Sequence, residues 1–167
     1  RTVLVSLEGC NMEVSSIFEA ISANAQNLRN LREINIGNNK CTKRFRKNLV
    51  FPEGLSTIYA CGIHWRGFHM KSFFKILFRC FQRGLNLSFA NTCALQGDWD
   101  SINELLRLTT YKSLISINWS GNPVSRQFIQ FLGRNKSLEL IDASECFSDE
   151  GINELSTSCN FLEGTRN

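Results

Sequence analysis

Only two prolines and two histidines occur in 167 residues, no Cys-x-x-Cys pair is present, and no apolar run is long. These absences remove several classes at once. The strongest apolar stretch, Phe73 to Phe78, is broken by Lys75, far short of the roughly 20 residues that cross a bilayer. There is no Gly-x-Ser-x-Gly elbow, no phosphate-cradling glycine loop and no His-Glu-x-x-His pair, so catalysis, a cofactor and a small-molecule substrate are not expected. Cys61-x-x-His64 has finger-like spacing, with His69 and Cys80 further on, but the other intervals fit no zinc frame. Packing is the expected role of all four, and no metal is assigned. Arg1 opens the chain with no charged-then-apolar leader, and no polar caps are evident, so the chain is expected to be one segment, 1–167, of a longer protein.

What is present points to a folded domain. Hydrophobic residues make up 43% and include thirteen Phe, enough apolar surface to offset the entropy of ordering, which excludes a disordered tail. The seven cysteines are odd in number, and several replace apolar residues. They are expected to be reduced, buried thiols of a cytoplasmic protein. Net charge is +4, but residues 29–83 hold twelve Lys/Arg against two acids, and the remainder seven against thirteen. The chain is electrically lopsided.

An internal repeat organises it. Leu31-x-x-Ile34-x-Ile36-x-x-Asn39-x-Cys41 has the same frame as Leu114-x-x-Ile117-x-Trp119-x-x-Asn122-x-Val124. Further copies are Leu138-x-x-Ile141-x-Ala143-x-x-Cys146, Leu55-x-x-Ile58-x-Ala60-x-x-Ile63 and Val5-x-Leu7-x-x-Cys10. The poorest, Leu85-x-Leu87-x-x-Ala90, has a register open to a slip of two residues. Anchored on Asn39 and its equivalents, the copies recur at intervals of 29, 24, 27, 32 and 24 residues. The alternation Ile34-x-Ile36 predicts a short strand with one buried face, and the Asn after it predicts a turn whose backbone groups its amide can satisfy. Ile63 and Ala90 cannot make such bonds, so the middle copies are expected to be the least regular.

Between strands the period becomes helical: Val14, Ile17, Phe18 and Ile21; Phe73, Ile76, Leu77, Cys80 and Phe81; Ile102, Leu105 and Leu106 behind Asp98, Asp100 and Ser101; Val124, Phe128, Phe131 and Leu132 closed by Gly133; Ile152 and Leu155 opened by Ser148, Asp149 and Glu150. Residues 42–54, basic and carrying Pro52, are too broken for a helix. Phe74 and Phe78 lie off the main stripe of their helix and are assigned to the core rather than to a membrane surface.

This frame resembles the leucine-rich repeat of ribonuclease-inhibitor-like proteins, LxxLxLxxN/CxL. The uneven coils and phrases such as Asn118-Trp119-Ser120-Gly121-Asn122-Pro123 are most similar to CARMIL-type arrays of actin regulators. The resemblance implies an α/β solenoid of about six repeats, a curved parallel sheet inside and helices outside. It also implies a non-enzymatic scaffold for another protein, with actin regulation as its setting. On such a frame the outward strand positions Glu33, Asn35, Tyr59, Asn118, Glu139 and Asp142 are the predicted contacts, Tyr59 being the best anchor by type. The competing reading is a binder of nucleic acid or anionic membrane through residues 40–83, led by the basic patch Lys40, Lys43, Arg44, Arg46 and Lys47 around Phe45.

Overall fold

A computed structural model describes residues 3–66 and 68–147. Among them the elements run β1 (Val3–Ser6), α1 (Val14–Ala23), β2 (Leu31–Asn35), β3 (Lys40–Cys41), β4 (Thr57–Tyr59), β5 (His64–Trp65), α2 (His69–Cys80), β6 (Leu85–Ser88), α3 (Gln96–Leu108), β7 (Leu114–Asn118), α4 (Arg126–Arg134) and β8 (Leu140–Asp142). The architecture is mixed α/β. Strands β1, β2, β4, β6, β7 and β8 form one parallel sheet in that order, not closed into a barrel, while β3 and β5 pair separately. The expected helix at Ile152 and Leu155, the Cys159 thiol and residues 159–167 lie outside the described residues.

Each repeat copy supplies one strand, and Val5, Ile34, Ile58, Leu87, Ile117 and Ile141 pair in a single row. The copy near 85–95 sits two residues later than the primary frame placed it. It reads Leu87-x-Phe89-x-x-Thr92, and the intervals become 29, 24, 29, 30 and 24. One residue is missing between the copy's first leucine and its strand, so Leu85-x-Leu87 imitates the strand's own alternation. The ladder absorbs the deletion at the irregularity between Leu85 and Asn86.

The ladder does not stop where the strands do. From one copy to the next, two further N–H groups donate across: Leu7 to Asn35 and Gly9 to Gly37, then Ile36 to Tyr59 and Asn38 to Cys61. The pattern continues through Ala60 to Ser88, Gly62 to Ala90, Phe89 to Asn118, Asn91 to Ser120, Trp119 to Asp142 and Gly121 to Ser144, all between 2.7 and 3.1 Å. In this ladder the middle copies are as regular as the rest, because it runs through backbone groups and needs no amide in the place of Ile63; their irregularity lies instead in the return over 42–56. Turning the chain off the strands takes a left-handed residue immediately before each anchor: Gly9, Asn38, Gly62, Asn91, Gly121 and Glu145, with φ between 50° and 68°. Glycine and asparagine adopt this region readily, glutamate does not.

The anchor side chains bind the preceding copy. Asn39 Nδ2 donates to Leu7 O (2.8 Å) and its Oδ1 accepts from Met12 N (2.9 Å). Asn122 repeats this with Phe89 O (2.6 Å) and Thr92 N (2.9 Å), and Cys146 Sγ reaches Trp119 O at 3.3 Å. Asn39 and Asn122 are buried, so these bonds satisfy carbonyls that water cannot reach.

Opposite the turns, α2 packs on α3 and α3 on α4. Helix α3 begins at Gln96, earlier than expected, so Asp98 is its third residue; its Oδ2 accepts from Leu95 N (3.2 Å), and burial raises its pKa. Helix α4 starts at Arg126, capped by Ser125, and runs through Gly133 to Arg134. Gly133 is no stop signal: buried Asn135 ends the helix instead, its Oδ1 accepting from Tyr111 N (2.8 Å). No helix forms over residues 42–56; Phe45, Leu49, Phe51 and Leu55 enter the core from an irregular chain. The aromatic rings stack into a column, Phe18 on Phe73 (5.8 Å), Phe73 on Phe89 (6.0 Å), Phe89 on Trp119 (5.3 Å) and Trp119 on Phe128 (4.3 Å). Phe74 is buried and Phe78 packs on Tyr111 and Phe131, which explains the wide apolar arc of α2.

Replacing Asn122 by alanine removes both of its inter-copy bonds and should cost about 1–3 kcal/mol in urea unfolding, with the slope unchanged. Glu145→Gly should do the reverse, raising stability by about 1 kcal/mol through relief of the left-handed backbone.

Candidate functional site

Strand alternation sends every second side chain to the face of the sheet away from the aromatic core, and in-register pairing aligns them into rows. One row is Ser6, Asn35, Tyr59, Ser88, Asn118 and Asp142; the other is Leu4, Glu33, Thr57, Asn86, Ser116 and Leu140. Five of the six predicted contacts fall in these rows. Glu139 does not: it precedes β8, its N–H donates to Ile115 O (2.8 Å), and Leu140 holds the register position. Thr57, Asn86, Ser88 and Ser116 belong to the face as well and were missed. Frame position alone identifies them, since a slip of two leaves strand parity unchanged.

Between Leu4 and Leu140 at its two edges, the face is polar and acidic. Its rows contain Glu33 and Asp142 and no Lys or Arg. Tyr59 OH donates to Glu33 Oε2 (2.9 Å), which with partial burial raises the phenol's pKa. Glu8 accepts from Asn35 Nδ2 and Asn38 Nδ2, both at 2.9 Å. Asn35, Asn118 and Asp142 have a further role in common, in that each Oδ1 accepts from the N–H two residues on, Gly37, Ser120 and Ser144, at 3.0 Å. These are Asx turns that carry the chain off the strand. The Ser144 hydroxyl and N–H hold the Asp142 carboxyl below its ordinary range. Tyr59 alone in its row presents a large ring without serving a turn.

The basic patch lies elsewhere, on β3 and the irregular segment after it. Lys40, Lys43, Arg44, Arg46 and Lys47 are exposed, but Phe45 is turned inward against Phe18 (5.5 Å) and is no stacking platform for a base. The segment is pinned by buried Glu13, whose Oε1 accepts from Thr42 N (2.8 Å) and Lys43 N (3.1 Å) and whose Oε2 accepts from Thr42 Oγ1 (2.9 Å). Arg46 Nε pairs with Glu19 (3.1 Å), Lys71 with Glu104 (2.7 Å), and Arg83 with Glu53. Lys75 and Arg79 stay exposed along α2.

The cysteines are less uniform than expected. The six described ones are free thiols; Cys41 is buried, which pushes its pKa up, whereas Cys10 and Cys93 are exposed. Cys61 contacts Ser88 Oγ (3.1 Å) and Cys80 donates to Leu49 O (3.5 Å), while His64 is exposed on β5. Among the described residues no three metal-ligating side chains cluster, and no helix is long and apolar enough to cross a membrane. No family model, no curated protein and no solved structure matches the chain.

Glu13→Ala strips three donors of their acceptor. We expect a loss of about 1–3 kcal/mol, with amide exchange accelerated first at Thr42 and Lys43 while the Asn39 turn stays protected.

Proposed function

We propose that the chain is a non-catalytic scaffold of the leucine-rich repeat type, a single domain whose outward sheet face docks another protein. The observation that carries this reading is the pair of in-register outward rows across six parallel strands, with Tyr59 as their one large anchor. The solenoid reading is supported by the six-fold recurrence of strand, left-handed turn and anchor, which are the parts a stacked array repeats. The acidic character of the face favours a partner that brings N–H donors or cations to it. Free thiols support a reducing compartment and hence a cytoplasmic site of action. The actin setting rests on the likeness to CARMIL-type arrays alone.

A second reading, contact with nucleic acid or anionic membrane through residues 40–83, is favoured by the exposure of Lys40, Lys43, Arg44 and Lys47. Affinity capture from cytosol separates the two. Glu33→Ala with Tyr59→Ala removes a mutually bonded pair and leaves neither partner stranded. Loss of a protein partner with this change, and its retention after Lys43, Arg44 and Lys47 are reversed to Glu, is the expected result. Retention through the first change and loss with the second, with lipid or nucleic acid in the eluate and steep salt dependence, would overturn the sheet-face reading.

A further inference from the structure

Where no helix forms between β2 and β4, space is left. Segment 42–56 stands beside α1 without helical bulk, and two hollows open along that seam. The larger, about 790 Å³, is lined by Arg29, Arg32, Val50, Glu53 and Gly54 among others; the other, about 420 Å³, by Glu19, Ser22, Arg46, Lys47 and Leu49. Val50 N donates to Ser22 Oγ at 2.8 Å, joining the residues of one hollow to those of the next. The two hollows are neighbours along one seam, where this bond ties the segment to α1.

The seam's charge is one-sided. The two acids that line it, Glu19 and Glu53, are each in an ion pair, with Arg46 and Arg83. Arg29, Arg32 and Lys47 have no acidic partner among the described residues. Arg29 Nε donates to Gln26 O (3.0 Å) and Arg32 Nη1 to Arg29 O (3.4 Å), so main chain orients both guanidinium groups while each keeps further donors. The seating of Arg32 depends on glycine: a Cβ at Gly54 would fall 1.2 Å from Arg32 Nη1. Between these cations Val50 is 60% exposed and offers an apolar spot.

We propose that this seam, with its two hollows, docks an extended acidic peptide of a partner protein, with carboxylates on Arg29, Arg32 and Lys47 and an aliphatic side chain on Val50. Planar guanidinium forks match carboxylates, and an extended chain can lie between two banks where a bilayer or a duplex meets only their rims. This surface is distinct from the outward sheet face and does not rest on its role.

The test uses the full 167-residue chain and a fluorescein-labelled dodecapeptide of repeating Glu-Glu-Leu, read by fluorescence anisotropy beside the same peptide with Lys for Glu. Saturable, salt-sensitive binding of the Glu peptide alone is expected. Arg29→Glu with Lys47→Glu should weaken it about tenfold or more and confer binding of the Lys peptide. Gly54→Ala, which displaces Arg32 without altering charge, should weaken it severalfold, and Tyr59→Ala should leave it unchanged; circular dichroism verifies that each variant is folded. No preference of the unmutated chain for Glu over Lys overturns the proposal without recourse to any variant. So does tighter binding of phosphatidylserine vesicles or duplex DNA than of the Glu peptide.

Discussion

Parallel strands joined only by long returns must be held together by the bonds between neighbouring copies. Here those bonds continue past each strand into the turn that follows it. Two extra N–H···O contacts per junction require the backbone to leave every strand along the same path, and that path passes through a left-handed residue. The column Gly9, Asn38, Gly62, Asn91, Gly121, Glu145 is the result. Its alternation is steric as well as conformational. A Cβ at Gly62 would meet Asn38 Oδ1 at 2.3 Å and one at Gly121 would meet Asn91 Oδ1 at 2.0 Å, so each asparagine lies over the glycine of the next copy. Asn39 and Asn122 then satisfy the carbonyls that the turn buries.

With one side of every copy constrained in this way, the other side varies. Copies returning through α2, α3 and α4 pack helix on helix and share the aromatic column; the copy returning through 42–56 contributes Phe45, Leu49, Phe51 and Leu55 without a helix. That substitution decides where charge goes. A segment whose apolar residues point inward from irregular backbone turns its lysines and arginines to solvent, whereas the sheet face, set by strand parity, collects amides, hydroxyls and carboxylates. Two surfaces of opposite character thus share one frame, and both draw on residues 29–83, since Glu33 lies on the sheet face.

The strands, their order and the buried face were legible in the primary structure because alternation has a period of two and the frame recurs six times. Five of the twelve outward positions were named from the same parity, which reaches the other seven as well. The register of the fourth copy was also within reach: Asn91 before Thr92 matches Gly9, Asn38, Gly62 and Gly121, while Phe89 before Ala90 would put an aromatic residue into the left-handed turn. The leucine pattern outweighed that signal, since the deleted residue made Leu85-x-Leu87 look like a strand pair. Gly133 misled for a related reason. A glycine near a helix end ordinarily marks its cap, but buried Asn135 binds Tyr111 N and ends the helix two residues further on.

Local pattern alone, then, determined the repeat, its short strands and their buried face, because each depends on neighbours in sequence or on one frame repeated. Tertiary structure alone decided what individual side chains are free to do. Phe45 turns out to be core, Arg46 and Arg83 to be paired, and Arg29 with Arg32 to stand unmatched beside Gly54. The core position of Phe45 and the pairing of Arg46 and Arg83 are settled by partners some 27 to 30 residues away along the chain, a separation at which residue type no longer says who is near.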